Sequence, residues 1–466
     1  MLVRTIKTAA LALSLVGCAV AQPVTPPTDA IADLVSQSQE AAPYPALAVS
    51  VRKGDQILYE GAVGTADLEQ DVAATPDTVF AIGSITKSFT AIAVATLVAE
   101  GKIDLNAPIS TYIPDYDGPA GDAPVWTLMN HTAGILNYNA QPEFPQGTRK
   151  AFTQREIRDM FEAAPLMFEP GTNFSYSNSG IFLLGVIVEN VTGKPYDTYL
   201  EETIFAPLGL DRTYYNRPQT IIPHRAGGYV LSEDGYQNAP ILDPSVPFSA
   251  GALASTVQDL QAYLDAVHRQ NLLGDDVRNT LYELREFPDG EANPYALGAL
   301  IIRNWEGHRK IAHAGDIDGF SGYMAFYPDD DVSIIVLANS RNVSPSPVGL
   351  EQKIARLVFD APRGEPSSEP LTQSQRAMLA GDYDIGRMRI GIDRIGILDQ
   401  EDGLAMKLGG TASDDPAIPL VRLDGLHFYA AHDDEMTFTF IPGEDDTPTR
   451  VMVDYVGGLF SFYKTN

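Results

Sequence analysis

The run from Phe80 to Gly101 constrains this chain more than any other stretch. Phe89, Ile92, Ala93, Thr96 and Leu97 recur at helical spacing, while Ile85, Ala91, Val94, Ala95 and Val98 fill the remaining faces. A helix that is apolar nearly all round belongs inside a large domain. Gly83 marks a tight turn before it, Ser84 is an N-cap type of residue, and Gly101 is a helix stop.

Burial gives Ser84 and Lys87 chemical meaning. Three residues apart on a helix, they share one face. A hydroxyl at a helix N-terminus sits among free N–H groups and the positive end of the dipole, which favour an oxyanion. A lysine removed from water has a lowered pKa and can take the proton of a serine nucleophile. The competing reading is a plain helix cap beside a solvated lysine. Ser-x-x-Lys also occurs at Ser50–Lys53 and Ser461–Lys464. Both of those lie in strand-like segments, where positions i and i+3 point to opposite faces.

With 466 residues the chain has room for two or three domains, and 44% hydrophobic residues are ample for large cores. Acidic residues outnumber basic ones 61 to 32, and the net charge of −29 argues against nucleic acid and anionic membrane surfaces as partners. Residues 1–21 read as a secretion signal, with Arg4 and Lys7 ahead of an apolar core from Ala9 to Val16 that is too short to span a membrane. Ala19-Val20-Ala21 is a cleavage site for ordinary release, whereas Leu15-Val16-Gly17-Cys18 has the form of a bacterial lipobox. Cys18 is the one cysteine in the chain, so it is the lipidation candidate and no internal disulfide can form. The expected location is outside a bacterial cytoplasm, in the periplasm or tethered to a membrane through Cys18 alone.

The first segments read as an amphipathic helix (29–41) and a hairpin (46–63). Further helices are expected over Val125–Ile135 and Phe152–Ala163. A Pro170-Gly171 turn then leads into a polar loop holding Tyr176 and Asn178, directly ahead of an apolar helix from Ile181 to Val191. Tyr176 is placed to act as phenolate base or proton relay, and Asn178 to orient Lys87 and a substrate carbonyl. The structural alternative is a tyrosine packing on the helix with Asn178 as a cap. Tyr-x-Asn recurs at Tyr214–Asn216 and Tyr236–Asn238, in polar stretches that read as surface loops. Four alternating or apolar runs between Ala296 and Asn339 predict an antiparallel meander, followed by a helix from Val348 to Phe359. At the end of one strand stands His313-Ala314-Gly315-Asp316. The small residues allow close approach to the backbone, and the Asp316 N–H is placed to join that of Ser84 in an oxyanion hole. A structural histidine in a strand turn is the alternative. Residues 361–370 are a linker, and 371–466, short alternating strands between turns, form a small β-barrel or sandwich without a recognisable site.

Taken in order, Ser84-x-x-Lys87, Tyr176-x-Asn178 and His313-x-Gly315 resemble the serine β-lactamase-like family, in its branch of class C β-lactamases, D,D-carboxypeptidases, D-aminopeptidases and family VIII esterases. The resemblance spans roughly residues 30–360 and includes Leu128–Ile135, Ala206–Leu210 and Ala250–Thr256. It implies an α/β fold, with an antiparallel sheet flanked by helices and an all-helical subdomain, in a hydrolase domain over 22–362. The segment 371–466 matches the accessory all-β domain of many relatives. The resemblance makes Ser84 the acylated nucleophile and gives Lys87 and Tyr176 the acid–base work. Asn178, His313, Gly315 and Asp316 bind substrate or oxyanion. No metal or cofactor is implied, and the seven histidines lack zinc-type spacing.

Relatives that hold a β-lactam or D-Ala carboxylate use Lys, then Thr or Ser, then Gly. Here His313-Ala314-Gly315 is followed by Asp316 and Asp318, which disfavours an anionic substrate, with Arg341 as partial compensation. The expected activity is therefore that of an esterase or an amide or peptide hydrolase on a small neutral or cationic substrate. Two alternatives stand beside it: a D,D-carboxypeptidase or β-lactamase, and a non-catalytic envelope binding protein. An α/β-hydrolase is set aside because no Gly-x-Ser-x-Gly occurs.

Overall fold

The computed structural model describes residues 27–465 apart from 43, 143, 145, 146, 342, 390, 391, 402, 444–447, 456 and 457. The expected signal segment, lipobox and Cys18 lie outside the described residues.

The first body is an antiparallel sheet. Helix α1 (Thr28–Ala41) leads into β1 (Ala46–Lys53) and β2 (Gln56–Asp67). The meander supplies β3 (Leu300–Trp305), β4 (His308–Ile317), β5 (Phe320–Tyr327) and β6 (Val332–Ala338). Their order across the sheet is β3-β4-β5-β6-β1-β2, with two-residue strands at both edges. The N-terminal hairpin thus closes a sheet begun some 250 residues later in the chain, with Val49 opposite Val336. The β1 and β6 stretches are buried on both faces, which is why they read as apolar runs. On one face α1 and α4 (Pro347–Phe359) bury Ile31, Val35, Leu350 and Ile354.

The other face carries α2 (Thr86–Ala99) and, beyond it, the helical region with α3 (Asn178–Thr192). Every residue of α2 from Thr86 to Ala95 is buried, and Phe89 stacks on Tyr263 at 4.5 Å. Gly101 ends the segment with φ +69°, a left-handed conformation that costs glycine little. The helix expected over Phe152–Ala163 is shorter, Gln154–Arg158, capped by a Thr153–Glu156 box. Beyond it Arg158, bonded to Glu162 and Asp115, holds the chain in turns instead.

The C-terminal strands close into an eight-stranded barrel: β7 (Gly381–Ile385), β8 (Arg394–Gln400), β9 (Gly403–Leu408), β10 (Ile418–Asp424), β11 (His427–Ala430), β12 (Asp433–Pro442), β13 (Pro448–Tyr455) and β14 (Gly458–Lys464). Alternate side chains, among them Met406, Phe428, Phe438, Val453 and Phe460, fill its interior. The barrel is docked firmly on the first body. Arg303 and Asp454 form a bidentate, nearly buried pair at 2.9 and 2.5 Å. Arg356 and Arg363 both meet Glu435. The backbone at Met388–Arg389 pairs in parallel with Phe174–Ser175, immediately before Tyr176.

Candidate active site

Ser84 lies in a single 3₁₀ turn, Gly83–Ile85, that runs directly into α2. Its hydroxyl does not cap the helix but turns to Lys87, whose Nζ is 2.8 Å from Ser84 Oγ. The same nitrogen donates to the Ala250 carbonyl at 2.7 Å. Lys87 is 0% exposed, and burial pushes its pKa well below the ordinary lysine value. Nζ donates to both oxygens, and an amine that has given up one proton here turns its lone pair toward the serine hydroxyl.

Tyr176 reaches the same serine. Its hydroxyl hydrogen-bonds Ser84, and its ring lies 5.0 Å below Lys87 Nζ. Burial raises the phenol pKa, the Ser84 bond lowers it less, and Asp316 raises it further. Lys87 contributes no lowering, so Tyr176 rests as a protonated phenol rather than the phenolate that a charged lysine would favour.

Asn178 opens α3. Its Nδ2 donates to Asn139 Oδ1 at 2.7 Å, and its own Oδ1 has no partner. His313 is buried, and burial above all lowers its pKa to about 3. Its Nδ1 is 2.5 Å from the Ala314 carbonyl and therefore carries the proton. Nε2 is left to accept from the Tyr295 hydroxyl at 2.7 Å. The imidazole is thus neutral where the resemblance places lysine in penicillin-binding relatives.

Two glycines bring the backbones together. A Cβ on Gly315 would lie 2.0 Å from Ile82 O, and one on Gly83 2.7 Å from the Asp316 carbonyl. The end of β4 therefore presses directly on the turn that holds Ser84. The pairing of β3 with β4 stops at Ala312, so beyond it β4 runs past the serine turn without β3 along this edge. The Asp316 carboxyl is crowded by protein yet open to the cleft, and burial raises its pKa while Arg341 lowers it. Arg341 itself pairs with Asp318 at 3.1 Å.

Two cavities meet at Ser84, Asn178 and Asp316. The larger, about 820 Å³, is lined by Asn139, Gln237, Asn238, Asp318 and Arg341 among others. The smaller, about 360 Å³, has Tyr176, Tyr295, His313 and, from the barrel, Tyr455 and Leu459. Several of these were not evident from sequence. Tyr295 lies in an irregular stretch without periodicity. His131 ends a recognised segment, but its tilted packing on Tyr176 at 4.4 Å and its acceptance of the Ser177 N–H are tertiary. Tyr236–Asn238, expected as a surface loop, is part of a strand, Gly235–Asn238, whose Gln237 and Asn238 reach the cleft. Tyr214–Tyr215 likewise pairs with Leu253–Ala254. Among the described residues no three His, Cys, Asp or Glu side chains cluster as a metal site, and no helix is long and apolar enough to cross a membrane.

A serine hydroxyl bonded to a buried lysine on an α/β scaffold is the arrangement that acyl transfer by a serine hydrolase needs. The chain belongs to the β-lactamase family, whose model matches residues 31–358. It is similar to penicillin-binding protein 4* of Bacillus subtilis (strain 168), 24% identical over 347 residues that are 71% of this chain and 76% of that protein. Among solved structures it resembles the D-amino acid amidase of Ochrobactrum anthropi SV3, with a TM-score of 0.62 and 26% identity over 71% of this chain and 97% of that one. The octameric penicillin-binding protein homologue from Pyrococcus abyssi shares the fold over 94% of this chain and 99% of its own, with a TM-score of 0.62 and 23% identity.

Proposed function

We propose that the chain is an esterase or an amide or peptide hydrolase that works through an acyl-enzyme on Ser84 and prefers neutral or cationic substrates. The observation that carries this is the contact of Ser84 Oγ both with a fully buried Lys87, whose pKa burial lowers, and with the hydroxyl of Tyr176, whose pKa burial raises.

The Ser84 proton passes to Lys87 Nζ as Oγ forms its bond to the substrate carbonyl carbon. The N–H groups of Ser84 and Asp316 receive the oxyanion. As the bond to the departing group breaks, Tyr176 donates its proton to that group, and the Lys87 ammonium restores the proton to Tyr176. A water then gives its proton to Lys87 while its oxygen attacks the acyl carbon. Collapse releases the acid, and the Lys87 proton returns to Ser84 Oγ. Asn178, at the meeting of the two cavities, is the substrate's amide or carbonyl partner, and Gly315 clears the space for it.

The charge around the serine supports the substrate preference. His313 is neutral, Asp318 occupies Arg341, and Asp316 places an acidic side chain at the open cleft. A substrate carboxylate finds no free cation there, while an amine finds a partner. The second reading, a D,D-carboxypeptidase or β-lactamase, draws on the likeness to penicillin-binding protein 4*.

Turnover of p-nitrophenyl esters, a D-Ala p-nitroanilide and a chromogenic cephalosporin, with intact-mass detection of the acyl-enzyme, tests the proposal. Loss of all turnover in Ser84→Ala is expected. A long-lived cephalosporin adduct with slow ester turnover would favour the second reading. Absence of any Ser84 adduct would favour a non-catalytic binding protein. We infer also that the protein is exported to the periplasm and lipidated at Cys18, for which labelled palmitate incorporation, lost in Cys18→Ser, is the test.

A further inference from the structure

The barrel's interior is filled with its own side chains, but its outer face is part of the catalytic cleft. Along β14 the pattern alternates: Phe460 and Phe462 turn into the barrel core, and Leu459 turns outward. Leu459 is 43% exposed, a large apolar side chain on an outer barrel surface. It faces the smaller cavity at Ser84, together with Tyr455 at the end of β13. Across that cavity stand Phe174, Pro294, Tyr295 and Ile301 from the first body. Arg303 also borders it, but its guanidinium is committed to Asp454, the residue beside Tyr455. That pair fixes the barrel strand against β3 and keeps the Arg303 charge out of play, so the acidic group left at this cavity is Asp316, at its mouth beside Ser84.

We propose that β13 and β14 form an apolar subsite for the departing half of the substrate, with Leu459 as its outer wall. This rests on the reading of Ser84 as the acylated nucleophile. Tyr176 and His313 border this cavity and not the larger one. A phenol that protonates the departing atom has the departing group on its own side. The larger, polar cavity is left for the acyl half, beside Asn139, Asp316 and Asp318. The substrate class is thus an ester or amide whose alcohol or amine half carries an aryl or branched alkyl group. About 360 Å³ is near the lower end of ligand-pocket sizes and suits a single ring rather than an extended chain.

The test holds the acyl group constant. Benzyl acetate and 2-methoxyethyl acetate form the same acetyl-enzyme from alcohols of comparable basicity, so they differ in the half that enters the barrel-walled cavity. Acylation appears in kcat/KM, and the ratio of the two values cancels effects common to both esters. Wild type is expected to favour the benzyl ester by at least about tenfold, and Leu459→Asp to lower that ratio about tenfold through a charge in an apolar wall. Leu459→Ala, which only trims the wall, lowers it about threefold and keeps the test informative if the aspartate variant misfolds. An unchanged ratio in both variants, or a wild-type ratio near one with Ser84 still acetylated, overturns the subsite and leaves the hydrolase reading in place. No acetylation of Ser84 by either ester overturns the hydrolase reading, and the subsite with it.

Discussion

Lys87 is held in a state that folding resists. Its amine is buried without a carboxylate, so the protein keeps it neutral while the unfolded chain would charge it. Between the depressed folded pKa and the ordinary value of about 10.4 the unfolded state binds more protons, so stability rises with pH across that window. Lys87→Met removes this slope. The variant is expected to be inactive by at least about a thousandfold in acylation. It is also expected to be more stable than wild type at pH 6, with the gap narrowing as pH rises, read from urea midpoints at a series of pH values. His313 adds a slope of the same sign lower down. Its pKa falls from about 6.5 to about 3, so its contribution is intact above the first value and is lost as pH drops toward the second. Thermal scans from pH 7 to pH 4 should therefore show falling stability, and His313→Asn should flatten the decline. Tyr176→Phe keeps the packing on His131 and removes only the proton donor. It is expected to lower kcat/KM by about 10²–10⁴ and to spare substrates whose leaving group needs no proton, such as p-nitrophenyl esters.

At the level of elements the site is a junction between the turn before α2, the loop before α3 and the free end of β4. Gly315 is the tightest point, because any Cβ there meets Ile82 O. Gly315→Ala should force β4 away from the serine turn and misplace the Asp316 N–H. The expected loss is about a hundredfold in kcat, comparable to removing one oxyanion donor, with far-UV circular dichroism unchanged. Much of this junction was legible in sequence because it is local. Ser84 and Lys87 are one helical turn apart on a helix with no polar face, and Tyr176 follows a Pro-Gly turn and precedes an apolar helix. The meander and the barrel were readable from strand alternation between short turns. What could not be read is assembled across long sequence separations. Tyr295 acquires meaning only through His313, and Ala250 only through its bond to Lys87. Tyr236–Asn238 looked like a polar loop because strand pairing with Tyr229–Ser232 leaves its polar side chains on the surface of the cleft. Leu459 looked like an ordinary outer position of a barrel strand, since nothing local tells which outer face meets another body.

For the molecule as a whole, the question is whether the barrel is a rigid wall or a loose appendage, and Arg303–Asp454 decides it. The two side chains are 9% and 12% exposed, so both charges have left water and depend on each other. Breaking such a pair from one side leaves an uncompensated buried charge and costs about 3–5 kcal/mol, whereas replacing both partners by apolar groups is often neutral or stabilising. Asp454→Ala is therefore expected to weaken barrel docking, seen as proteolysis in the 361–370 linker, and to erode the benzyl-ester preference together with stability. The double variant Arg303→Met/Asp454→Leu separates the two effects. It should restore docking and protease resistance, because the apolar pair fills the same contact without a charge to solvate, and it should recover the leaving-group preference as well. Were docking restored without that preference, the ion pair would act on substrate directly. Were neither variant to change proteolysis, docking would rest on Glu435 with Arg356 and Arg363, and on the strand pairing beside Tyr176.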